Sequence, residues 1–217
     1  MIPIAPLIKP VLNWKESLQQ PAFRYQFALF LVIIIGIGLF FPEYFDYLEE
    51  RDGILMNDFI VSRIRSRDVS WLVFFCLYSG IAIGVASSIR YPKICLMIMQ
   101  TYSLVTLMRI ITIFCIPLNP PEGYIALKEP LLGFFFTSEG KICSKDLFFS
   151  GHVSTIMAIY FPMKQKLNKA IVLVLTVLIG SLVLVQHVHY TVDVLAAPVA
   201  TYACYLFSKK VIMKNIL

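Results

Sequence analysis

The stretch "YQFALFLVIIIGIGLFF", residues 25–41, runs for seventeen residues without a charge. Wound as a helix it rises about 26 Å, close to the ~30 Å hydrocarbon core of a bilayer. Five further apolar runs follow at 69–89, 94–118, 147–163, 170–186 and 190–207, each near or above the ~17 residues a crossing needs. The composition agrees, with 59% hydrophobic and only 15% charged residues against the ~25% charged residues of soluble domains. The expected fold is therefore all-α, a polytopic membrane protein with six transmembrane helices in a single domain over 1–217.

The net charge of +6 would suggest nucleic acid in a soluble chain, but the basic residues are sorted by loop. Lys9, Lys15 and Arg24 precede the first run, and Arg90 and Lys93 join the second to the third. Lys164, Lys166 and Lys169 join the fourth to the fifth, and Lys209, Lys210 and Lys214 follow the sixth. On a six-crossing path all four clusters fall on one side. The opposite loops hold Arg51, Arg63, Arg65, Arg67, Lys128, Lys141 and Lys145, interspersed with acids. The positive-inside bias puts both termini in the cytoplasm, and it accounts for the charge without nucleic acid. About two dozen residues, including Pro3, Pro6, Pro10 and Pro21, precede the first run, and no small-residue cleavage site follows it, so it reads as a retained helix and not a removable signal.

The five cysteines are an odd number, and Cys76, Cys95, Cys115 and Cys204 lie in or at the edge of apolar runs, which suits packing; only Cys143 falls in an outward loop. No zinc spacing occurs, and neither a metal nor a cofactor is expected. The outward loops 42–68 and 117–145 are long. The second opens with "PLNPPEG", which forbids a continuous helix, and carries "LLGFFFT" at 131–137, too short to span and suited to the interface. Trp71 reads as an interface anchor.

Ionisable residues inside the runs are costly and demand a partner or a role. His152, five residues into the fourth run, lies ~8 Å beneath the outer boundary, and Arg109, fifteen residues into the third from the opposite side, reaches the same depth. His189 and Asp193 stand at the outer end of the sixth run. Their four-residue spacing stacks them on one helical face, where the carboxylate can accept the imidazole N–H. In "SGH", Ser150 and Gly151 precede His152 at a helix N-terminus, where free N–H groups favour a phosphate. One histidine can attack while the other protonates the leaving oxygen. Arg109 is either a phosphate clamp or the partner of a loop acid, Glu122 or Asp146. Asp146 is either a functional acid or the N-cap of the fourth helix. His187 reads as a packed, hydrogen-bonded residue.

The blocks "DLFFSGH" (146–152) and "HYTVD" (189–193), with "RIITIFCIPL" (109–118), resemble the sphingomyelin synthase family, a branch of the type 2 phosphatidic acid phosphatase superfamily. The similarity covers 109–205. It implies that His189 is the nucleophile, Asp193 its orienting acid and His152 the acid/base at the leaving group. Asp146 resembles the acid of the block ahead of "SGH", although "CSKD" sets one residue more than usual between Cys143 and that acid. The lysine and arginine-proline block of lipid phosphatases is not found, which leaves Arg109 to bind the substrate phosphate together with Ser150 and Gly151.

The function expected is transfer of a phospho-headgroup from a membrane phospholipid donor to a lipid acceptor, ceramide or diacylglycerol, at the outward face through a phospho-histidine. A hydrolytic lipid phosphatase is the alternative. From another class, a proton-coupled transporter would also bury histidines and acids, but neither an inverted repeat nor a charged path to the cytoplasmic side is seen.

Overall fold

The computed structural model describes residues 13–130 and 143–216. The prolines at 3, 6 and 10, Lys9, Lys141 and the 131–137 segment lie outside them. Seven α-helices make up the described chain: α1 Trp14–Gln19, α2 Pro21–Glu50, α3 Ser70–Ser88, α4 Pro92–Cys115, α5 Gly151–Tyr160, α6 Lys166–Val185 and α7 Thr191–Phe207. Extended pairing among the described residues is limited to a parallel bridge between Ile54 and Leu118.

Five segments are long and apolar enough to cross a membrane: α2, α3, α4, α6, and α7 with its π-helical extension to Ile212. That fits a multi-pass membrane protein. The fourth apolar run behaves differently from expectation, because only Gly151–Tyr160 is helical and ten residues rise about 15 Å. The reason lies just before it. Arg109 Nε donates to Phe149 O at 2.7 Å, Thr112 Oγ1 donates to Phe148 O at 3.1 Å, and Asp193 O accepts from Ser150 N at 3.1 Å. Backbone groups satisfied from outside do not need a helix, even at membrane depth.

Short as it is, α5 sits at the centre. Val153, Ile156, Met157 and Ile159 form one buried cluster with Val73 and Cys76 of α3, Val105 of α4, Val172, Ile179 and Val183 of α6, and Ala197 and Cys204 of α7. Two glycines admit it. A Cβ at Gly80 would stand 2.7 Å from Ile156 Cδ1, and one at Gly84 would stand 2.4 Å from Ile159 Cγ2. Small residues one turn apart thus let α5 lie against the α3 backbone.

By contrast α2 is peripheral, with 17% of its apolar window buried against 50% for α4. Its buried residues Phe23, Phe30, Ile37, Phe41, Tyr44 and Leu48 recur at near-heptad spacing and make one seam. Leu29, Val32, Ile35 and Leu39 point outward, as lipid contact requires. Near the opposite end of the bundle, Gln100 Nε2 donates to Gln26 Oε1 and Ser208 Oγ donates to Gln100 Oε1, which ties α2, α4 and the end of α7 together. Met213 and Ile216 pack beneath that junction on Phe23, Leu96 and Met97.

Candidate active site

The turn between α6 and α7, "QHVHYT" at 186–191, gathers the α2–α3 loop and the segment that follows α4. Gln186 accepts from Val69 N at 3.0 Å through Oε1, and its Nε2 reaches Ser70 Oγ, Ile125 O and Ala126 O. His187, in a left-handed conformation with φ of 55°, holds Nδ1 2.6 Å from Glu122 O and Nε2 2.9 Å from Ile64 O. Glu122 is presented by a Pro-Glu-Gly turn in which Gly123 adopts φ of 77° and Tyr124 N donates to Pro121 O, the geometry in which a left-handed third residue favours glycine. The Tyr190 hydroxyl donates to Asn119 O and accepts from Met56 N. Asp58 receives Thr191 N at 2.6 Å and Thr191 Oγ1 at 3.0 Å, and so caps α7 from the first outer loop. Burial opposes ionisation of Asp58, but N–H donors from Val61, Thr191 and Ile60 outweigh it and hold the carboxyl below its ordinary pKa.

Behind this turn the polar residues singled out from sequence come together. His189 Nδ1 faces Asp193 Oδ2 at 3.4 Å, and the same oxygen accepts Tyr190 N at 2.9 Å. Both side chains are buried. The His152 ring stands 6.1 Å from that of His189 between centroids and 5.9 Å from Phe74. Arg109 closes the other side of the site. Its guanidinium lies so near Gly151 that a Cβ there would meet Nη1 at 2.6 Å, so any larger residue where α5 begins would displace the guanidinium. Arg109 Nη2 binds Asp146 Oδ1 at 2.7 Å; of the two loop acids, Asp146 is the partner. The N-cap position of α5 is Ser150, not Asp146, and Ser150 makes no side-chain cap bond.

Four buried side-chain polar atoms lack a hydrogen-bond partner among the described residues, and three of them are here: Ser150 Oγ, His152 Nδ1 and Asp193 Oδ1. Buried orphans are uncommon and call for a reason. The segment bearing Asp146 is anchored by an acid that sequence reading passed over. Glu49, at the end of α2, accepts Ser144 N and Ser144 Oγ, while Lys145 donates to the backbone oxygens of Glu49 and Arg51. Ser144 and Lys145, which include the extra residue of "CSKD", are therefore the docking residues of that loop. Burial and the neighbouring Asp146 push the Cys143 thiol far above its ordinary pKa.

Neither of two cavities is lined by His152 or His189. A groove of about 470 Å³ runs between α2 and α4, lined by Phe40, Glu43, Tyr44, Tyr47, Ile110, Ile111 and Phe114. A second cavity of about 330 Å³ lies under the outer loops among Asn57, Asp58, Glu122, His187 and Tyr190.

Residues 143–210 match the family model described as PAP2 superfamily C-terminal. The match covers about a third of the chain, from the anchored "CSKD" loop through α5, α6 and α7. It supports the PAP2 superfamily, whose members are lipid phosphatases or phosphotransferases, and with it an enzyme acting in lipid metabolism. No curated protein matches the chain.

Proposed function

We propose that the protein transfers a phospho-headgroup from a glycerophospholipid to a lipid alcohol, ceramide or diacylglycerol, at the outward face of a membrane. The observation that carries this reading is the meeting of His152, His189, Asp193 and Ser150 around three unpartnered buried polar atoms. Such a set suits an anionic phosphoryl group that accepts and donates at fixed points. The His189–Asp193 contact of 3.4 Å is loose, as catalytic hydrogen bonds often are before substrate binds.

With Nδ1 turned to Asp193, His189 offers the Nε2 lone pair to phosphorus. A P–N bond forms as the P–O bond to the diacylglycerol breaks, and His152 gives that oxygen its proton. The acceptor hydroxyl then attacks phosphorus, surrenders its proton to His152, and the P–N bond breaks to free His189. Asp193 stabilises the imidazolium that forms between these steps. Arg109 has Nε and Nη2 engaged; its Nη1, beside Gly151, is the donor left for a phosphate oxygen. If water takes the acceptor's place, the same steps hydrolyse the lipid, releasing a phospho-alcohol from a phosphodiester or, as a lipid phosphatase, phosphate from a lipid phosphomonoester, a reading favoured by the breadth of the superfamily matched.

In this reading the chain crosses six times with both termini cytoplasmic. The fourth crossing is composite, with the non-helical residues 147–150 leading into α5, whose ten residues rise about 15 Å. The deciding experiment incubates purified protein with headgroup-labelled phospholipid, with and without ceramide, in detergent. A labelled acceptor lipid is the expected product. Label released only as free phosphate or phospho-alcohol would assign the hydrolase, and an untouched substrate pool would refute both.

A further inference from the structure

The first outer loop carries "ILMNDFIVSRIRSR" at 54–67, with three arginines in five positions and one acid. Arg63, Arg65 and Arg67 are all exposed. The two acids closest in sequence are engaged elsewhere, Asp58 with Thr191 and the exposed Asp68 with Ser70 and Lys128, so neither forms an ion pair with the triad. Among the described residues no acid pairs with Arg65 or Arg67. Arg63 is braced with its guanidinium 3.3 Å from the Phe59 ring centroid, a cation–π contact that keeps the charge while holding its position. Apolar side chains share the segment: Ile54, Leu55, Phe59 and Ile60 are exposed, Phe59 by 71%.

The fold sets the height of this segment. Arg67 N donates to Val185 O at the end of α6, Ile64 O lies against His187, and α3 begins three residues after Arg67. Both helix ends bound apolar spans, so the arginines stand where hydrocarbon gives way to headgroups. Three outward arginines also run against the positive-inside bias of the rest of the chain, and an anionic partner on that side would compensate them.

We infer that residues 54–67 form an interfacial strap whose arginines bind the phosphate groups of anionic lipids while Phe59 and its apolar neighbours enter the surface. Guanidinium groups suit phosphate oxygens, and basic clusters beside a membrane span gather anionic lipid. The strap thereby enriches anionic lipid beside the histidine site. This depends on the membrane placement of α3 and not on the reaction proposed above.

Trp71, 68% exposed in the first turn of α3, is a built-in reporter. In a Trp14→Phe background the full chain is placed in nanodiscs holding equal fractions of brominated phosphatidylglycerol or brominated phosphatidylcholine, and Trp71 quenching is compared. Quenching by the anionic lipid should exceed that by the zwitterionic one by about threefold, on the scale of one or two arginine contacts with an anionic surface. High salt should erase the difference, as should Arg65→Gln with Arg67→Gln, while excess inorganic phosphate leaves it intact. Equal quenching by the two lipids in the parent would overturn the strap, as would a preference surviving both salt and the double substitution. Loss of the preference to inorganic phosphate would assign the site to a free anion and overturn the lipid claim. The salt comparison on the unsubstituted arginines keeps the test valid if the double variant folds poorly.

Discussion

Replacing His189 by alanine removes the proposed nucleophile and leaves a small residue at the end of a turn. Turnover should fall to background while the melting temperature in detergent stays near that of the parent; near-normal turnover would end the phospho-histidine reading. His152→Ala should let labelled phosphoryl accumulate slowly on His189 and scarcely resolve. Arg109 behaves differently, because its Nη2 and Nε hold Asp146 and Phe149 O. Arg109→Met should reduce turnover and also destabilise the fold by about 3 kcal/mol, the cost of leaving buried partners unpaired. Asp146→Asn in the same background should add little to that loss, which melting temperatures of the single and double variants would read directly. The pairing was an open alternative in the sequence, whereas the His189–Asp193 relation was legible from a four-residue spacing alone. Glu49 and Asp58 were not legible, since a loop acid that docks a loop or caps a distant helix has the composition of one that is merely solvated. A faint signal existed in the position of Asp58, the lone acid of the mostly apolar "ILMNDFIV".

Helix α5 shows where hydropathy stops being informative. The run 147–163 has the length and apolarity of a span, but whether it winds depends on partners for its first carbonyls, supplied by Arg109 and Thr112 from another helix. The other five runs are helical over most of their length. Packing against α3 gives a sharp test. Gly84→Ala places a methyl 2.4 Å from Ile159 Cγ2 and should cost about 1–3 kcal/mol by overpacking. In an Ile159→Ala background the same glycine substitution should cost less, and an unchanged cost would show the clash to be misassigned. At the start of α7, Asp58→Ala removes a cap supplied from outside the helix. About 1–2 kcal/mol should be lost, with slower turnover because His189 and Asp193 sit at that helix end. The Asp68 carboxyl is held down to about 2 by the Ser70 hydroxyl, the Ser70 N–H and Lys128. A depressed folded-state pKa gives a contribution fully present above the ordinary value and lost as pH falls through about 2, so the first outer loop should stay docked at mildly acidic pH.

Across the whole molecule, the proposed sidedness rests on the clustered lysines and is tested with thiols. A cysteine introduced at exposed Asp52 should react with an impermeant maleimide on intact cells if the outer loops face outward. Cys143 should react slowly from the same side at neutral pH, because its raised pKa leaves little thiolate. Labelling of the introduced thiol only after permeabilisation would reverse the topology. The six residues of "QHVHYT" have a further consequence. They hold Met56, Ile64 and Val69 of one outer loop and Asn119, Glu122, Ile125 and Ala126 of the other, so neither loop can lift while the turn keeps its shape. The two loops and the turn should therefore open as one cooperative unit. Their backbone amides should share a single exchange free energy in deuterated buffer, with the first turn of α7, where His189 meets Asp193, exchanging at the same rate.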